Sequence, residues 1–529
     1  MSENKKQDNL LMFIKKYFTN ISLAVLSGVL GFLSFPPFEF GFLAWFFLVP
    51  LLVAVKRSAG YREAFFYSYL SALAFWGCLL YWLANVTVPG TLVVVMIMAC
   101  YTGVFGVFSR GVLKYSMDLF LLPFVWVVLE YIRGYFLTGF PWGLLAYSQY
   151  KNLNIIQVSD ITGPYGVSFL LVVFNAAIFS LLLRSRKKYV YMAAALFFII
   201  IASAYGSYCL KNCRVWGDVK ISVVQGNIPQ SEKWDPDLSE NILKKYIALT
   251  KQAEKDRPDL IVWPETSYPY LVEGPEDAAK TIDELLPGEN IPVLAGVIYG
   301  EDGRYYNSAI LAGGEAGSGL IYNKTHLVPF GEYVPGDRLL AVLREFIDKP
   351  IGDFGRGSEY TLFPVRSVSS STAGMVRTRQ MNFYKFGVLI CFEDVFPYIT
   401  REFVRTGADI VINITNDAWF GRTAASRQHL QSSVFRAVEN RVPVIRAANT
   451  GISCFIDSRG RVLSYVEKDG KETFIGGIAT ENVETCRGKS FYTAYGDMFI
   501  YFCGFMIILL IITEVIFYKP TVASFIQRS

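Results

Sequence analysis

Phe386-Gly387-Val388-Leu389-Ile390-Cys391-Phe392-Glu393-Asp394 begins as a mainly apolar run and ends on a thiol and two carboxyls. Such a run reads as a buried strand that delivers Cys391 at its carboxyl end. Two earlier segments share this design. Asp259-Leu260-Ile261-Val262 leads through Trp263-Pro264 to Glu265, and Leu320-Ile321-Tyr322-Asn323 leads to Lys324. A carboxylate, an ammonium and a thiol are the parts needed for acyl transfer through a thioester. Once ionised, the thiol attacks an acyl carbon. Glu265 would take its proton, and Lys324, with a backbone N–H after Cys391, would hold the developing oxyanion. Histidine often serves as the base, but His326 and His429 are the only two in the chain and neither has a Cys–His protease-like setting. Taken singly, the three residues read as a core cysteine, a turn glutamate and a solvated lysine. Only their combination points to chemistry.

The neighbouring sequence alternates strand and helix patterns. Strands are expected at Val219–Gln225, Pro292–Tyr299, Ser308–Leu311, Ile410–Ile414, Val442–Ala447, Ser453–Ile456 and Val462–Tyr465. Helices are expected near Leu238–Lys255, Glu276–Leu286, Pro397–Arg405 and Ser426–Asn440. Such alternation predicts a layered α/β domain over residues 211–490. Asp348–Tyr384, with Gly352, Gly355, Gly357 and the run Ser367–Ser371, reads as a long loop insertion, either a lid or a surface excursion.

The flanking sequence differs in kind. The chain has 529 residues, is 53% hydrophobic and 16% aromatic, and has a mean hydropathy of +0.34. Only 18% is charged, against roughly 25% in a soluble domain. Seven apolar stretches precede residue 211: Ile21–Phe35, Phe38–Val55, Ala64–Leu83, Thr91–Phe108, Leu119–Phe136, Val167–Leu183 and Val190–Tyr208. An eighth, Met498–Phe517, falls in the closing segment 491–529. Most approach the ~20 residues that cross a ~30 Å hydrocarbon layer. Lys and Arg cluster in alternate connections: Lys5 to Lys16, Lys56 to Arg62, Arg110 and Lys114, Arg184 to Lys188, and Lys519 with Arg528. This positive-inside alternation predicts eight membrane helices, both termini in the cytoplasm and residues 211–490 outside. No small-residue cleavage site follows the first apolar run, so no cleaved signal peptide is expected. Glu130 and Arg133 share a helix face, either as an ion pair near the outer interface or as a polar lining for a lipid headgroup. Phe140-Pro141-Trp142-Gly143 after them reads as an aromatic anchor or part of a lipid entrance.

The eight cysteines show no CxxC pair, and several fall in apolar runs and read as small core residues. With two histidines they argue against a zinc site. A net charge of +5 without a basic tract interleaved with aromatics gives no sign of a nucleic-acid partner.

The 211–490 block resembles the carbon–nitrogen hydrolase (nitrilase) superfamily, an αββα sandwich with a Glu–Lys–Cys triad. Glu265, Lys324 and Cys391 match its three positions. Gln225-Gly226-Asn227-Ile228-Pro229-Gln230, Lys233-Trp234, Val328-Pro329-Phe330-Gly331-Glu332-Tyr333 and Asn416-Asp417-Ala418-Trp419-Phe420-Gly421 resemble, more narrowly, the apolipoprotein N-acyltransferase family. That resemblance covers nearly the whole chain. It implies an enzyme of the bacterial cytoplasmic (inner) membrane that moves an acyl chain from a phospholipid to Cys391. The chain then passes to the N-terminal amine of a diacylglyceryl-cysteine lipoprotein. It also implies that Glu332 orients Lys324 or the amine, that Glu393 supports the site, and that Trp234 and Trp419 line the pocket. Phe392 stands where some relatives have Tyr, leaving its backbone N–H as the expected oxyanion donor. No cofactor or metal is implied. Competing readings are a membrane-tethered amidase or nitrilase, with water as acceptor, and a transporter, against which the absence of an internal repeat speaks.

Overall fold

The computed structural model describes residues 2–115, 117–212, 215–274, 280, 291–313, 319–329, 331–333, 353–373, 376–486 and 488–526. The chain forms two compact units, Met1–Ser207 with Asp497–Ser529, and Tyr208–Gly496.

The first unit is helical. Among the described residues four helices are long and apolar enough to cross a membrane: Ile14–Leu33, Val88–Lys114, Tyr165–Leu182 and Lys188–Lys211. Met498–Thr513 is a shorter apolar helix. The expected count of eight is therefore not met by helix length and hydropathy. Phe38–Val55 shows why. It divides into a 3-10 turn, Gly41–Trp45, and a ten-residue helix, Leu48–Arg57, about 15 Å long at 1.5 Å per residue. Pro50 lacks the N–H that a helix interior needs and fits only the first turn, so the helix starts just before it. Pro123 acts in the same way on Leu121–Tyr135. Thr87 caps Val88–Lys114 by accepting from the Gly90 N–H.

Glu130 and Arg133 are buried on helix Leu121–Tyr135, but they are not an ion pair among the described residues. Each grips backbone instead. Arg133 Nη1 donates to the carbonyls of Phe140 and Trp142 at 2.9 and 2.7 Å, and Glu130 Oε1 accepts from the Leu145 N–H at 2.8 Å. The guanidinium lies 4.8 Å over the Trp76 ring, and both residues line a cavity with Trp76, Tyr101, Phe105 and Trp126.

The second unit is a sandwich of two sheets. One is built from β1 (Val215–Gln225), β2 (Leu260–Val262), β3 (Leu271–Val272), β4 (Val293–Glu301), β5 (Arg304–Ala312) and β6 (Ile321–Asn323). The other comprises β7 (Leu362–Ala373), β8 (Val376–Ile390), β9 (Ile410–Thr415), β10 (Val444–Ala448), β11 (Cys454–Ile456) and β12 (Val462–Tyr465). A last strand, β13 (Gly477–Cys486), returns to the first sheet, whose order is β13-β1-β2-β4-β5-β6 with β3 beside β4. The second sheet runs β12-β11-β10-β9-β8-β7. The centre of each sheet is parallel: β1, β2 and β4 in the first, β8, β9 and β10 in the second. Parallel strands are covered on both faces, and β2, β9 and β10 are accordingly buried throughout. β1 faces β7 and β10, while β5 faces β8.

Helices cover the outer faces. Ser239–Ala253 buries Ile242, Leu243, Tyr246 and Ala253 along one stripe. Ile242 and Leu243 each contribute about 1.5–3 kcal/mol by burial. Trp263 stacks on Tyr246 at 5.1 Å and donates from Nε1 to Thr250 Oγ1 at 2.8 Å, which fixes the chain just before Glu265. Pro397–Thr406 starts on proline and stops at Gly407, whose φ of +120° few side chains tolerate. Ala425–Asn440 packs on β10 and β11.

Two expectations need correction. The insertion expected over Asp348–Tyr384 is not a loop from Leu362 onward. It is a hairpin, β7 against β8, in register from Leu362–Gly387 to Ala373–Val376. Buried Phe363, Val365 and Ser367 alternate with exposed Arg366, a period of two that the serine run disguises. β13 was not expected at all; it pairs with β1 from Val215–Cys486 to Gln225–Gly477. Cys486, at the end of β13, is disulfide-bonded. The helix expected over 276–286 lies almost wholly outside the described residues, as do residues 334–352.

Candidate active site

Glu265, Lys324 and Cys391 stand just past the carboxyl ends of β2, β6 and β8. Ligands of open α/β sheets gather at such ends. Cys391 has a φ of +54°, rare for a residue with a side chain and costing on the order of 1–3 kcal/mol. It turns the chain sharply from β8 into the 3-10 turn Cys391–Val395. Asn413 of β9 donates from Nδ2 to the Cys391 carbonyl at 3.1 Å. Glu393, wholly buried, holds the same turn to the Lys324 segment. Its Oε2 accepts the Ile390 N–H at 2.8 Å, and its Oε1 accepts the N–H groups of Thr325 and His326 at 2.7 and 3.0 Å. Tyr322 adds its hydroxyl at 2.9 Å. Burial raises the Glu393 carboxyl from its ordinary value, against the pull of the Ile390 N–H, the Lys324 charge and the His326 N–H.

Lys324 is 1% exposed. Its Nζ lies 2.8 Å from Glu332 Oε1 and 3.8 Å from Glu265 Oε1. Asn307 on β5 joins the two carboxylates, donating from Nδ2 to Glu265 Oε1 at 2.8 Å and Glu332 Oε1 at 2.9 Å. Glu332 Oε2 also accepts the Val328 N–H at 2.8 Å. Burial alone would lower the Lys324 ammonium, but Glu332 and Glu265 outweigh it and raise it above its ordinary range. Lys324 is therefore a fixed cation. The Cys391 thiol moves the other way from reactivity: burial and the Glu265 charge hold it well above its ordinary value, against the pull of Lys324. It rests as a thiol and needs a base.

The Glu265 turn is closely packed. Thr266 has a φ of +46°, and a Cβ at Gly296 of β4 would lie 2.4 Å from the Thr266 nitrogen and 2.5 Å from the Pro264 carbonyl oxygen. Only glycine lets β4 pass beneath this turn.

Of the residues singled out in the sequence, Glu265, Lys324, Glu332 and Cys391 form one cluster, with Glu393 behind it. Phe392 packs edge-on against Phe396 at 5.2 Å. Trp234 and Trp419 are partly exposed, on the turns after β1 and β9. Three contacts were not foreseen from the sequence. Asn307 carries no motif of its own. Lys233, 6% exposed, donates from Nζ to the Glu265 carbonyl at 2.8 Å. A second ionic cluster lies in the core: Asp394 Oδ1 is 2.6 Å from His429 Nε2, Asp417 Oδ1 is 3.1 Å from His429 Nδ1, and Arg446 Nη1 is 2.6 Å from Asp394 Oδ2. Its members come from four separate segments, so no local pattern announces it.

Known proteins identify the family. Residues 27–177 match the apolipoprotein N-acyltransferase N-terminal domain, and residues 220–488 match the carbon-nitrogen hydrolase domain. An apolipoprotein N-acyltransferase of Geobacter metallireducens is 37% identical over 91% of this chain and 92% of its own length. One from Pasteurella multocida is 29% identical over 94% and 95%. One from Allorhizobium ampelinum is 34% identical over 84% and 86%. Saccharomyces cerevisiae Nit3, a solved nitrilase-superfamily structure, aligns at 18% identity over 51% of this chain and 91% of its own, with a TM-score of 0.36 that adds no weight. With a polar α/β sandwich of carbon-nitrogen hydrolase type joined to an apolar helical unit, and full-length relatives above 30% identity, the chain belongs to the apolipoprotein N-acyltransferase family.

Proposed function

We propose that this protein transfers an acyl chain from a membrane phospholipid, through a thioester on Cys391, to the α-amine of an N-terminal diacylglyceryl-cysteine. The observation that carries the chemistry is the buried Lys324 held between Glu265 and Glu332 beside the strained Cys391 turn. Glu265 takes the thiol proton. Sγ attacks the ester carbonyl carbon, and the oxyanion is met by Lys324 and the Phe392 N–H. Collapse breaks the acyl C–O bond, and Glu265 returns its proton to the departing lysophospholipid oxygen. In the second half the amine attacks the thioester carbonyl and loses a proton to Glu265. The C–S bond breaks, an amide forms, and Cys391 is reprotonated. Glu332 and Asn307 orient Lys324 and Glu265, Glu393 holds the turn, and Trp234 and Trp419 line the entry.

The same reading covers topology. Residues 1–210 and 491–529 form the membrane part with eight crossings, both termini are cytoplasmic, and 211–490 work on the extracytoplasmic face. The Lys and Arg alternation supports this. The broken second crossing is compatible with it, because irregular backbone at membrane depth is tolerated where protein covers it, and Leu48, Leu51, Leu52 and Val55 are buried. The disulfide at Cys486 fits an oxidising compartment.

The test uses purified protein in detergent and a phospholipid labelled on its acyl chain. A hydroxylamine-sensitive adduct on Cys391 that passes to a diacylglyceryl-cysteine peptide is the expected result. Free fatty acid without acylated peptide would instead identify a hydrolase.

A further inference from the structure

Lys233 follows β1 on a tight turn in which the N–H groups of Glu232 and Lys233 both reach the Pro229 carbonyl. This draws the side chain inward until it is 6% exposed. There, among the described residues, its ammonium makes one hydrogen bond, to the Glu265 backbone carbonyl at 2.8 Å. Among the described residues no carboxylate pairs with it. A buried cation with two N–H donors to spare is costly, so the site must contain charge that repays it.

Proton transfer relocates that charge without changing its total, since the two carboxylates already exceed Lys324 by one. At rest Glu265 and Glu332 face Lys324, and Cys391 is a neutral thiol. When the thiol proton moves to Glu265, the S–H bond breaks and a carboxyl O–H forms. Lys324 remains with Glu332, 2.8 Å away, and the new thiolate is the unmatched charge. We infer that Lys233 is a positioning residue whose ammonium balances the Cys391 thiolate after Glu265 has taken its proton. This rests on the roles proposed above for Glu265 and Cys391.

The groups around both partners fit this role. Cys391 feels Glu265, Lys324 and Asp417 and the Thr415 hydroxyl, and Asp417 is already engaged by His429 and Arg446. Lys233 feels Glu265 and Cys391. Burial lowers its ammonium to about 8 despite those two partners, so the charge is retained at neutral pH only while negative charge stays close by.

The experiment compares full-length wild type, Lys233→Gln and Lys233→Arg in detergent. Glutamine keeps a donor for the Glu265 carbonyl and removes the charge, whereas arginine keeps both. Iodoacetamide modification of Cys391 is followed by peptide mass across roughly pH 6 to 10, and the midpoint is taken as the pH that gives half modification in a fixed time, which tracks the thiolate fraction even below the raised thiol value. Single-turnover acylation by labelled phospholipid is measured alongside, and thermal melting reports folding. Lys233→Gln is expected to raise the alkylation midpoint by about one pH unit and slow acylation ~10-fold or more, with Lys233→Arg close to wild type. A Lys233→Gln profile superimposed on wild type overturns the inference and shows that the lysine only holds the Glu265 turn. If Lys233→Gln unfolds, the arginine variant decides: a midpoint displaced as far as one pH unit from wild type, despite the retained charge, also overturns it. If wild type forms no thioester, the acyltransfer reading falls, while the alkylation profiles still decide the role of Lys233.

Discussion

The sandwich carries two buried ionic clusters, one around Lys324 and one around His429, and they are built on opposite plans. Around His429, two carboxylates, Asp394 and Asp417, meet two cations, His429 and Arg446, all 1% exposed or less. Burial would lower the imidazole, but the Asp394 charge raises it to about 9. Burial would raise Asp417, but the His429 charge takes it to about 2. Every charge is answered and the set is closed. Around Lys324, two carboxylates share one ammonium, and a thiol beside them is held in its protonated form. Among the described residues it is Lys233, paired with no carboxylate, that completes the charge balance there. A closed, neutral set stabilises a fold; an open one beside a strained nucleophile is equipped for chemistry.

The sharpest way to break this contrast is Cys391→Ala. Acyl transfer should fall by at least ~10³-fold, because no other group takes over the nucleophile's part, while thermal melting stays within a few degrees of wild type. Retained turnover in a folded variant would remove the thioester from the mechanism.

His429→Gln should do the reverse, lowering stability by about 3–5 kcal/mol because Asp394 and Asp417 lose their shared cation. The pH dependence has a definite sign. His429 is raised in the folded protein to about 9 from an unfolded value of roughly 6.5. Its stabilisation is fully present below the unfolded value and is lost as pH rises through the folded one. Melting temperature of the wild type should therefore decline between those values, and the decline should flatten in His429→Gln. Asp417 acts at the other end: depressed to about 2, it contributes stability above its unfolded value of roughly 3.9 that disappears as pH falls through the folded one. Equal slopes in the two proteins would show that the His429 cluster does not hold an imidazolium.

Glu332→Gln tests the open cluster without disturbing its shape. Lys324 would lose its 2.8 Å partner and turn to Glu265, tying up the base. A fall in kcat of ~10²-fold with KM nearly unchanged is expected, the signature of an interaction that matters in the transition state. A change confined to KM would move Glu332 from orienting Lys324 to holding substrate.

The two clusters also differ in how far sequence alone reveals them. Glu265, Lys324 and Cys391 each terminate an apolar run, so strand prediction and chemistry point to the same residues. The His429 set comes from β10, the turn after β8, the turn after β9 and a helix, and only the β8–β9–β10 adjacency brings it together. Asn307, and the contact of Lys233 with Glu265, become legible only once β1 and β5 lie beside β2 and β6. Serine-rich composition hid the β7–β8 hairpin, whose period of two survives in Phe363, Val365 and Ser367. In the helical unit, hydropathy located the apolar segments but not their breaks, because Pro50 and Pro123 limit helix length without lowering apolar content.

Phe392 gives the smallest expected effect. Its neighbour Cys391 makes it a candidate for direct chemistry, and some relatives are expected to carry Tyr there. The ring, however, is engaged in packing, with Phe396 at 5.2 Å and His326 at 6.4 Å. If residue 392 contributes only its backbone N–H to the oxyanion, Phe392→Tyr adds a hydroxyl to a partly buried ring and leaves that N–H where it was. Acyl transfer should then change by less than ~3-fold, below about 0.7 kcal/mol of barrier. A gain of tenfold or more would instead mean that a phenol at this position donates to the reacting oxygen, and that the open cluster in this protein works one donor short of its relatives.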